Sequence, residues 1–218
     1  MNTTVTQQLE QLGVFPIIVI EDATDATRLG ETLLSAGLPC AEVTFRTAAA
    51  EEAIRTLAEG FPDLLVGAGT ILSVEQAQKA IDAGAKFILS PGFNPGVVDF
   101  CLSQNIDIYP GICTPTEIEA AMAKGLRVLK FFPSEAMGGL RYLQAISAPL
   151  SMVRYLPTGG VNLQNLPDYL NFDKVLACAG TWIVKKQWLK DKDFDRIRKE
   201  AEDAVAVVKK VRGDQHNG

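Results

Sequence analysis

Leu64-Leu-Val-Gly-Ala-Gly69-Thr-Ile-Leu-Ser73-Val-Glu-Gln76 contains one complete strand-to-helix unit. Its first five residues, 64–68, form a short apolar run that reads as a buried strand, and Ser73 with Gln76 has the spacing of a capping box that opens a helix. The same stretch separates two parallel architectures. An open, doubly wound sheet built to hold a dinucleotide would carry a third glycine here, and Gly67-Ala-Gly69-Thr-Ile-Leu72 lacks it.

Outward from this unit, the alternation of apolar run and amphipathic stretch occurs eight times. Strands are predicted near residues 14–20, 40–45, 64–68, 86–89, 107–110, 127–132, 153–157 and 174–178. Further helix starts are marked by Asn94-Pro95 and by Thr114-Pro115-Thr116-Glu117, the latter with capping-box spacing and proline at the first helical position. Each crossover helix returns the chain to the same end of the sheet, so the strands must pair in parallel. Eight such units predict a closed (β/α)8 barrel, a TIM barrel, preceded by a short N-terminal helix. The last helix, residues 194–211, aligns Phe194, Ile197, Ala201, Ala204, Val208 and Val211 on one stripe that should complete the barrel wall. Residues 1–212 are read as this one barrel and residues 213–218 as a disordered polar tail.

The chain has 218 residues, enough for one such barrel and no second domain. Its hydrophobic fraction of 47% and charged fraction of 22% are those of a globular protein. A net charge of -5 without a basic block offers no counterion release, which disfavours nucleic acid as a partner. No positively charged leader and no apolar run long enough to span a bilayer is present, so no membrane partner is expected and the cytoplasm is the expected compartment. Cys40, Cys101, Cys113 and Cys178 form no C-x-x-C pair and read as reduced thiols. The one histidine, His216, falls in the polar tail. That removes Ser-His-Asp and Cys-His catalysis, along with metal sites built on several imidazoles. Neither metal nor cofactor is expected. Chemistry must rest on Lys, Glu, Asp, Arg, Tyr or hydroxyl groups.

Functional residues of such barrels gather at the carboxyl ends of the strands. At the end of the second strand, Glu42, Thr44 and Arg46 alternate and so share one face. A carboxylate and a guanidinium inside an apolar strand are costly to desolvate and need partners or a ligand. From this segment alone, a structural ion pair at the barrel mouth competes evenly with catalysis. In the sixth strand, Val128-Leu-Lys130-Phe-Phe132 sets a lysine in the middle of an apolar run. A solvated lysine is seldom found there. Burial disfavours the ammonium form, and the neutral amine is what attacks a carbonyl. After the seventh and eighth strands come Thr158-Gly159-Gly160 and Gly180-Thr181, turns whose backbone N–H groups could cradle a phosphate, with Thr181 adding a hydroxyl and the following helices their dipoles. Ordinary tight turns would look the same singly. Thr70 could bind a carboxylate, and Pro91 could shape the pocket wall.

With these residues assembled, the chain resembles the bacterial 2-keto-3-deoxy-6-phosphogluconate (KDPG) and 4-hydroxy-2-oxoglutarate (KHG) aldolase family. The likeness runs from Val14 to the final helix and rests on Glu42-Val-Thr-Phe-Arg46, Val66-Gly-Ala-Gly-Thr70, Ser90-Pro-Gly92, Lys130-Phe-Phe-Pro133, Glu135-Ala-Met-Gly-Gly139 and Pro157-Thr-Gly-Gly160. It implies a metal-independent class I aldolase, usually a homotrimer, that cleaves 2-dehydro-3-deoxy-6-phosphogluconate to pyruvate and D-glyceraldehyde 3-phosphate in sugar-acid breakdown, with 4-hydroxy-2-oxoglutarate as a side substrate. By the same resemblance Lys130 is the Schiff-base lysine and Glu42 the acid/base. Arg46 and Thr70 bind the pyruvate-end carboxylate, and Pro91 and Phe132 form the pocket wall. Thr158, Gly159, Gly160, Gly180 and Thr181 fall where the family holds phosphate. Two positions depart from the common pattern: Cys178-Ala-Gly-Thr181 stands where many relatives have Gly-Gly-Ser, and Met137 where some have Asn. Preference for 4-hydroxy-2-oxoglutarate or for the galactonate epimer stays open. So do a phosphosugar isomerase or epimerase and a non-catalytic phosphosugar-binding barrel.

Overall fold

In the computed structural model, which describes residues 3–215, the chain forms eight parallel strands and ten α-helices among those residues. The strands are β1 (Val14–Ile18), β2 (Cys40–Thr44), β3 (Leu65–Gly69), β4 (Phe87–Ser90), β5 (Asp107–Ile112), β6 (Val128–Phe131), β7 (Arg154–Pro157) and β8 (Cys178–Gly180). The helices are α1 (Val5–Leu12), α2 (Asp25–Ser35), α3 (Ala50–Gly60), α4 (Val74–Asp82), α5 (Pro95–Ser103), α6 (Pro115–Ala123), α7 (Gly139–Ser147), α8 (Leu166–Leu170), α9 (Lys186–Lys190) and α10 (Phe194–Gln215). One sheet runs β7-β6-β5-β4-β3-β2-β1-β8, and bridges Tyr155↔Val175 and Thr158↔Ala179 join its two ends into a barrel. None of these helices is long and apolar enough to cross a membrane.

The predicted helix starts are present, with one variation. Thr114 and Glu117 form a full capping box, and the Asn94 side chain accepts from the N–H groups of Gly96 and Val97. Ser73 accepts from Gln76 N–H, but the Gln76 side chain accepts from Leu72 N–H rather than closing back on Ser73. Two strand ends differ from the sequence reading for a definable reason. β1 stops at Ile18 because side chains take over its carbonyls: Thr44 Oγ1 donates to the Ile18 carbonyl and Thr47 Oγ1 to that of Ile20. The eighth strand, read at 174–178, divides between two partners. Lys174 and Leu176 bond to Tyr155 of β7, whereas residues 178–180 pair with β1, the stagger that barrel closure imposes. The polar tail also begins later than read: α10 continues to Gln215, and residues 216–218, His216 among them, lie outside the described residues.

Two apolar layers result. Outside the barrel, the outward faces of the strands pack on the helices, with Ile197, Ala201, Ala204 and Val208 of α10 buried there. Inside, Phe15, Cys40, Leu65, Phe87, Tyr109, Leu156 and Leu176 fill the amino-terminal end. The Phe87 ring meets Phe15 edge-on at 6.2 Å. Helix α1 plugs that end by inserting Leu9, which is fully buried, while Thr6 Oγ1 lies 2.9 Å from the Tyr109 hydroxyl. Closing one end in this way leaves the carboxyl-terminal mouth as the opening into the interior.

Candidate active site

Strands β2 and β6 are four places apart in either direction around the ring, so they face each other across the barrel. Glu42 projects inward from one and Lys130 from the other, and the two long side chains meet near the axis. Lys130 Nζ lies 3.6 Å from Glu42 Oε1, with side-chain exposures of 7% and 0%. The Phe132 ring is 5.4 Å from the amine. No atom of this chain hydrogen-bonds either Glu42 carboxylate oxygen among the described residues.

This meeting requires empty volume, and glycines supply it. A Cβ on Gly69 would lie 2.0 Å from Glu42 Oε1, and one on Gly67 only 2.3 Å from the Phe87 ring beneath. On the other flank Gly111, in register with Lys130, would carry a Cβ 2.1 Å from the Pro91 carbonyl oxygen. In the sequence, Gly67 and Gly69 stand out as an incomplete dinucleotide fingerprint and as part of the family stretch Val66-Gly-Ala-Gly-Thr70. Their two-residue spacing on an inward strand face was the available signal for a space-making role.

Burial pushes the Glu42 carboxyl above its ordinary value of 4.5, while the positive charges of Lys130 and Arg46 pull it back down. Desolvating a carboxylate costs several kcal/mol even after relaxation, and here that penalty outweighs the attraction, so the net direction is upward. A carboxyl raised in this way holds a proton at the axis more readily than an exposed glutamate would.

Arg46 lies two residues beyond the end of β2, exposed at the mouth, and its Nε donates to Thr70 Oγ1 at 3.2 Å. Thr70 follows β3 with φ at +60°, a left-handed conformation that costs a β-branched residue about 1–3 kcal/mol. The strained backbone sets its hydroxyl against the guanidinium. The guanidinium and the hydroxyl therefore lie side by side at the mouth. Pro91 stands half-buried beside Gly111, and Phe132 extends from Lys130 toward Gly159.

Beyond β7, the Thr158 carbonyl accepts from Ser134 N–H at 2.8 Å and that of Gly159 from Glu135 N–H at 3.0 Å, while the Gly160 carbonyl accepts from the side chains of Asn162 and Asn165. Each peptide unit is planar with N–H and C=O opposed. The N–H groups of Gly159, Gly160 and Val161 are thus turned away from the donors that hold the preceding carbonyls. Gly159 and Gly160 have φ of +95° and +88°. The neighbouring strand end presents Gly180 and the exposed Thr181. Two details differ from the sequence reading. The Thr158 hydroxyl is buried and donates to the Leu156 carbonyl, and its N–H donates to the Phe131 carbonyl, so Thr158 itself has no donor left for a ligand. Helices α8 and α9 start at Leu166 and Lys186, several residues past the turns, so helix dipoles do not bear directly on these N–H groups. Behind this turn lies a hydroxyl pair, Ser134 and Tyr169, that no local sequence pattern marks.

A buried amine facing a buried carboxyl at the open end of a parallel barrel is the arrangement of a lysine-dependent barrel aldolase. Comparison with known proteins gives the same class. The profile of the "KDPG and KHG aldolase" family matches residues 5–200. A Treponema pallidum 2-dehydro-3-deoxy-phosphogluconate aldolase is 44% identical over 205 residues, covering 94% of this chain and 98% of the relative. The KHG/KDPG aldolase of Escherichia coli K12 is 41% identical over 196 residues, covering 90% and 92%. Among solved structures, the KDPG aldolase of Legionella pneumophila, crystallised with pyruvate captured as a covalent carbinolamine, superposes with a TM-score of 0.88 at 34% identity, covering 92% of this chain and 97% of the other. The chain belongs to the KDPG and KHG aldolase family.

The raised Glu42 carboxyl has a consequence for stability. From pH 4.5 up to the folded-state value, the folded protein binds a proton that the unfolded chain has lost, so this residue lowers stability as pH rises through that window. In urea titrations across the window, Glu42→Gln should show a less negative slope of unfolding free energy against pH than the parent. Superimposable slopes would show that the carboxyl is not shifted upward.

Proposed function

We propose that the chain is a class I aldolase that cleaves 2-dehydro-3-deoxy-6-phosphogluconate to pyruvate and D-glyceraldehyde 3-phosphate, accepting 4-hydroxy-2-oxoglutarate as a second substrate. The observation that carries this reading is the meeting of Lys130 and Glu42 at the barrel axis, both nearly inaccessible to water. A proton can pass between the two groups, leaving Lys130 as the amine. That amine adds to C2 of the 2-oxo acid to give a carbinolamine. Glu42 then donates a proton to the departing hydroxyl, water leaves, and an imine remains.

The imine draws electrons from the C3–C4 bond. Glu42, now a carboxylate, accepts the C4 hydroxyl proton directly or through a water, the bond breaks, and the aldehyde departs. The remaining enamine takes a proton at C3, and hydrolysis releases pyruvate with the free lysine. Arg46 and Thr70 hold the C1 carboxylate, which fixes C2 beside the amine, and this orientation is itself a rate term. Pro91 and Phe132 keep water from the imine. The N–H groups that follow β7, with Gly180 and Thr181, bind the terminal phosphate on the far side of Lys130. Relatives named as phosphogluconate aldolases support the phosphorylated substrate, and those named as KHG or 4-hydroxy-2-oxoglutarate aldolases support the second.

Lys130→Arg keeps a positive charge opposite Glu42 but offers no amine that deprotonates readily. Pyruvate release, followed with lactate dehydrogenase and NADH, should fall at least about a thousandfold with the fold retained. A variant retaining a tenth of the parent rate would exclude imine chemistry at this residue.

We also propose a cytoplasmic homotrimer. The four cysteines are unpaired, which suits a reducing compartment. Leu72 and Val74, 55% and 36% exposed just past β3, are apolar side chains that a neighbouring subunit would cover. Light scattering at micromolar concentration should give three times the chain mass, and a monomer mass would refute the trimer.

A further inference from the structure

Behind the turn assigned to phosphate lies a polar network that the reaction scheme leaves unused. Tyr169, on α8, is 1% exposed, and its hydroxyl sits 2.6 Å from Ser134 Oγ, itself fully buried. The same hydroxyl donates to the Glu135 carboxylate. The phenol has one proton, and Glu135 receives it, so Ser134 must be the donor in the other bond. Burial, reinforced by the Glu135 carboxylate, holds the Tyr169 phenol above its ordinary value, which keeps it a donor at every working pH.

Ser134 and Glu135 are also the two residues whose N–H groups hold the carbonyls of Thr158 and Gly159. Glu135 packs directly beneath Gly160, where an added Cβ would approach its Cβ and Cγ to 2.5 Å. The chain from Lys130 through Phe132 to Glu135 is therefore stitched to the turn after β7 by two backbone bonds. Their donors are held in place by one phenol.

We infer that Tyr169 is a positioning residue: by clamping Ser134 and Glu135 it sets the distance between the Lys130 amine and the backbone N–H groups of Gly159–Val161, and so acts on specificity for a phosphorylated substrate. This rests on the functional reading above, in which that turn binds phosphate. The clamp lies on the phosphate side of Lys130 and touches neither Glu42 nor Arg46. Its removal should leave imine formation intact and loosen only the grip on the distal end.

The test compares kcat/KM for 2-dehydro-3-deoxy-6-phosphogluconate and for the unphosphorylated 2-dehydro-3-deoxygluconate, in the parent, Tyr169→Phe, Ser134→Ala and Glu135→Gln. Phenylalanine keeps the buried ring, so folding is preserved. Tyr169→Phe and Ser134→Ala should lower kcat/KM for the phosphorylated substrate about tenfold, mainly through KM, and change the unphosphorylated one by less than about twofold. Glu135→Gln retains an acceptor for the phenol and should lose less on the phosphorylated substrate than Tyr169→Phe does. Equal losses on both substrates, or no loss in Tyr169→Phe, would overturn the inference while sparing the phosphate reading. A parent without preference for the phosphorylated substrate would overturn the phosphate reading itself.

Discussion

An amine and a carboxyl meeting at the axis of a closed barrel are expensive to bury, and the rest of the architecture makes that burial tolerable. Each group alone would be destabilising by several kcal/mol. Together, 3.6 Å apart, they offset part of each other's desolvation and leave a carboxyl that clings to its proton. The pair can meet because opposite strands supply it and because Gly69 leaves room for the Glu42 carboxylate, while Gly67 and Gly111 admit the Phe87 ring and the Pro91 backbone around it. Leu9 and the aromatic layer of Phe15, Phe87 and Tyr109 close the amino-terminal end. Water and substrate therefore share a single side of approach.

The order of strands around the ring explains how one small site could grip a long, doubly anionic substrate. Arg46 and Thr70 follow adjacent strands β2 and β3, while Gly159 and Gly160 follow β7, and Gly180 and Thr181 lie at the end of the neighbouring β8. Lys130 stands on β6, beside the second group and across from the first. A molecule with a carboxylate at one end and a phosphate at the other would then span the mouth, its carbonyl held over the amine. On the proposed reading, Thr70 bonded to Arg46 stands at one end of such a molecule, and the Tyr169 network lies behind the glycine turn at the other.

Much of this is legible in the chain, because the strongest costs leave the plainest traces. A lysine within Val128-Leu-Lys-Phe-Phe132 and a glutamate within Cys40-Ala-Glu-Val-Thr44 violate the apolar pattern of buried strands, and both point inward. Strand-to-helix alternation and capping signals likewise yield the barrel. What escapes the sequence is whatever depends on three-dimensional closure. The eighth strand divides between two partners because the barrel is sheared, and no local pattern encodes that division. The glycine turns after β7 and β8 look like helix starts in one dimension, yet the helices begin several residues later. Ser134 and Tyr169 are separated by 35 positions, and only the packing of α8 against the loop after β6 brings their hydroxyls together.

If Lys130 bonds covalently to a 2-oxo acid, borohydride reduction will fix the imine on that residue. The enzyme would be incubated with pyruvate, treated with borohydride, digested and mapped by mass spectrometry. One carboxyethyl group per chain should appear on the peptide carrying Lys130, accumulating in step with loss of activity. A folded, active enzyme whose Lys130 stays unmodified, or whose adduct maps to another lysine, would contradict imine formation at Lys130.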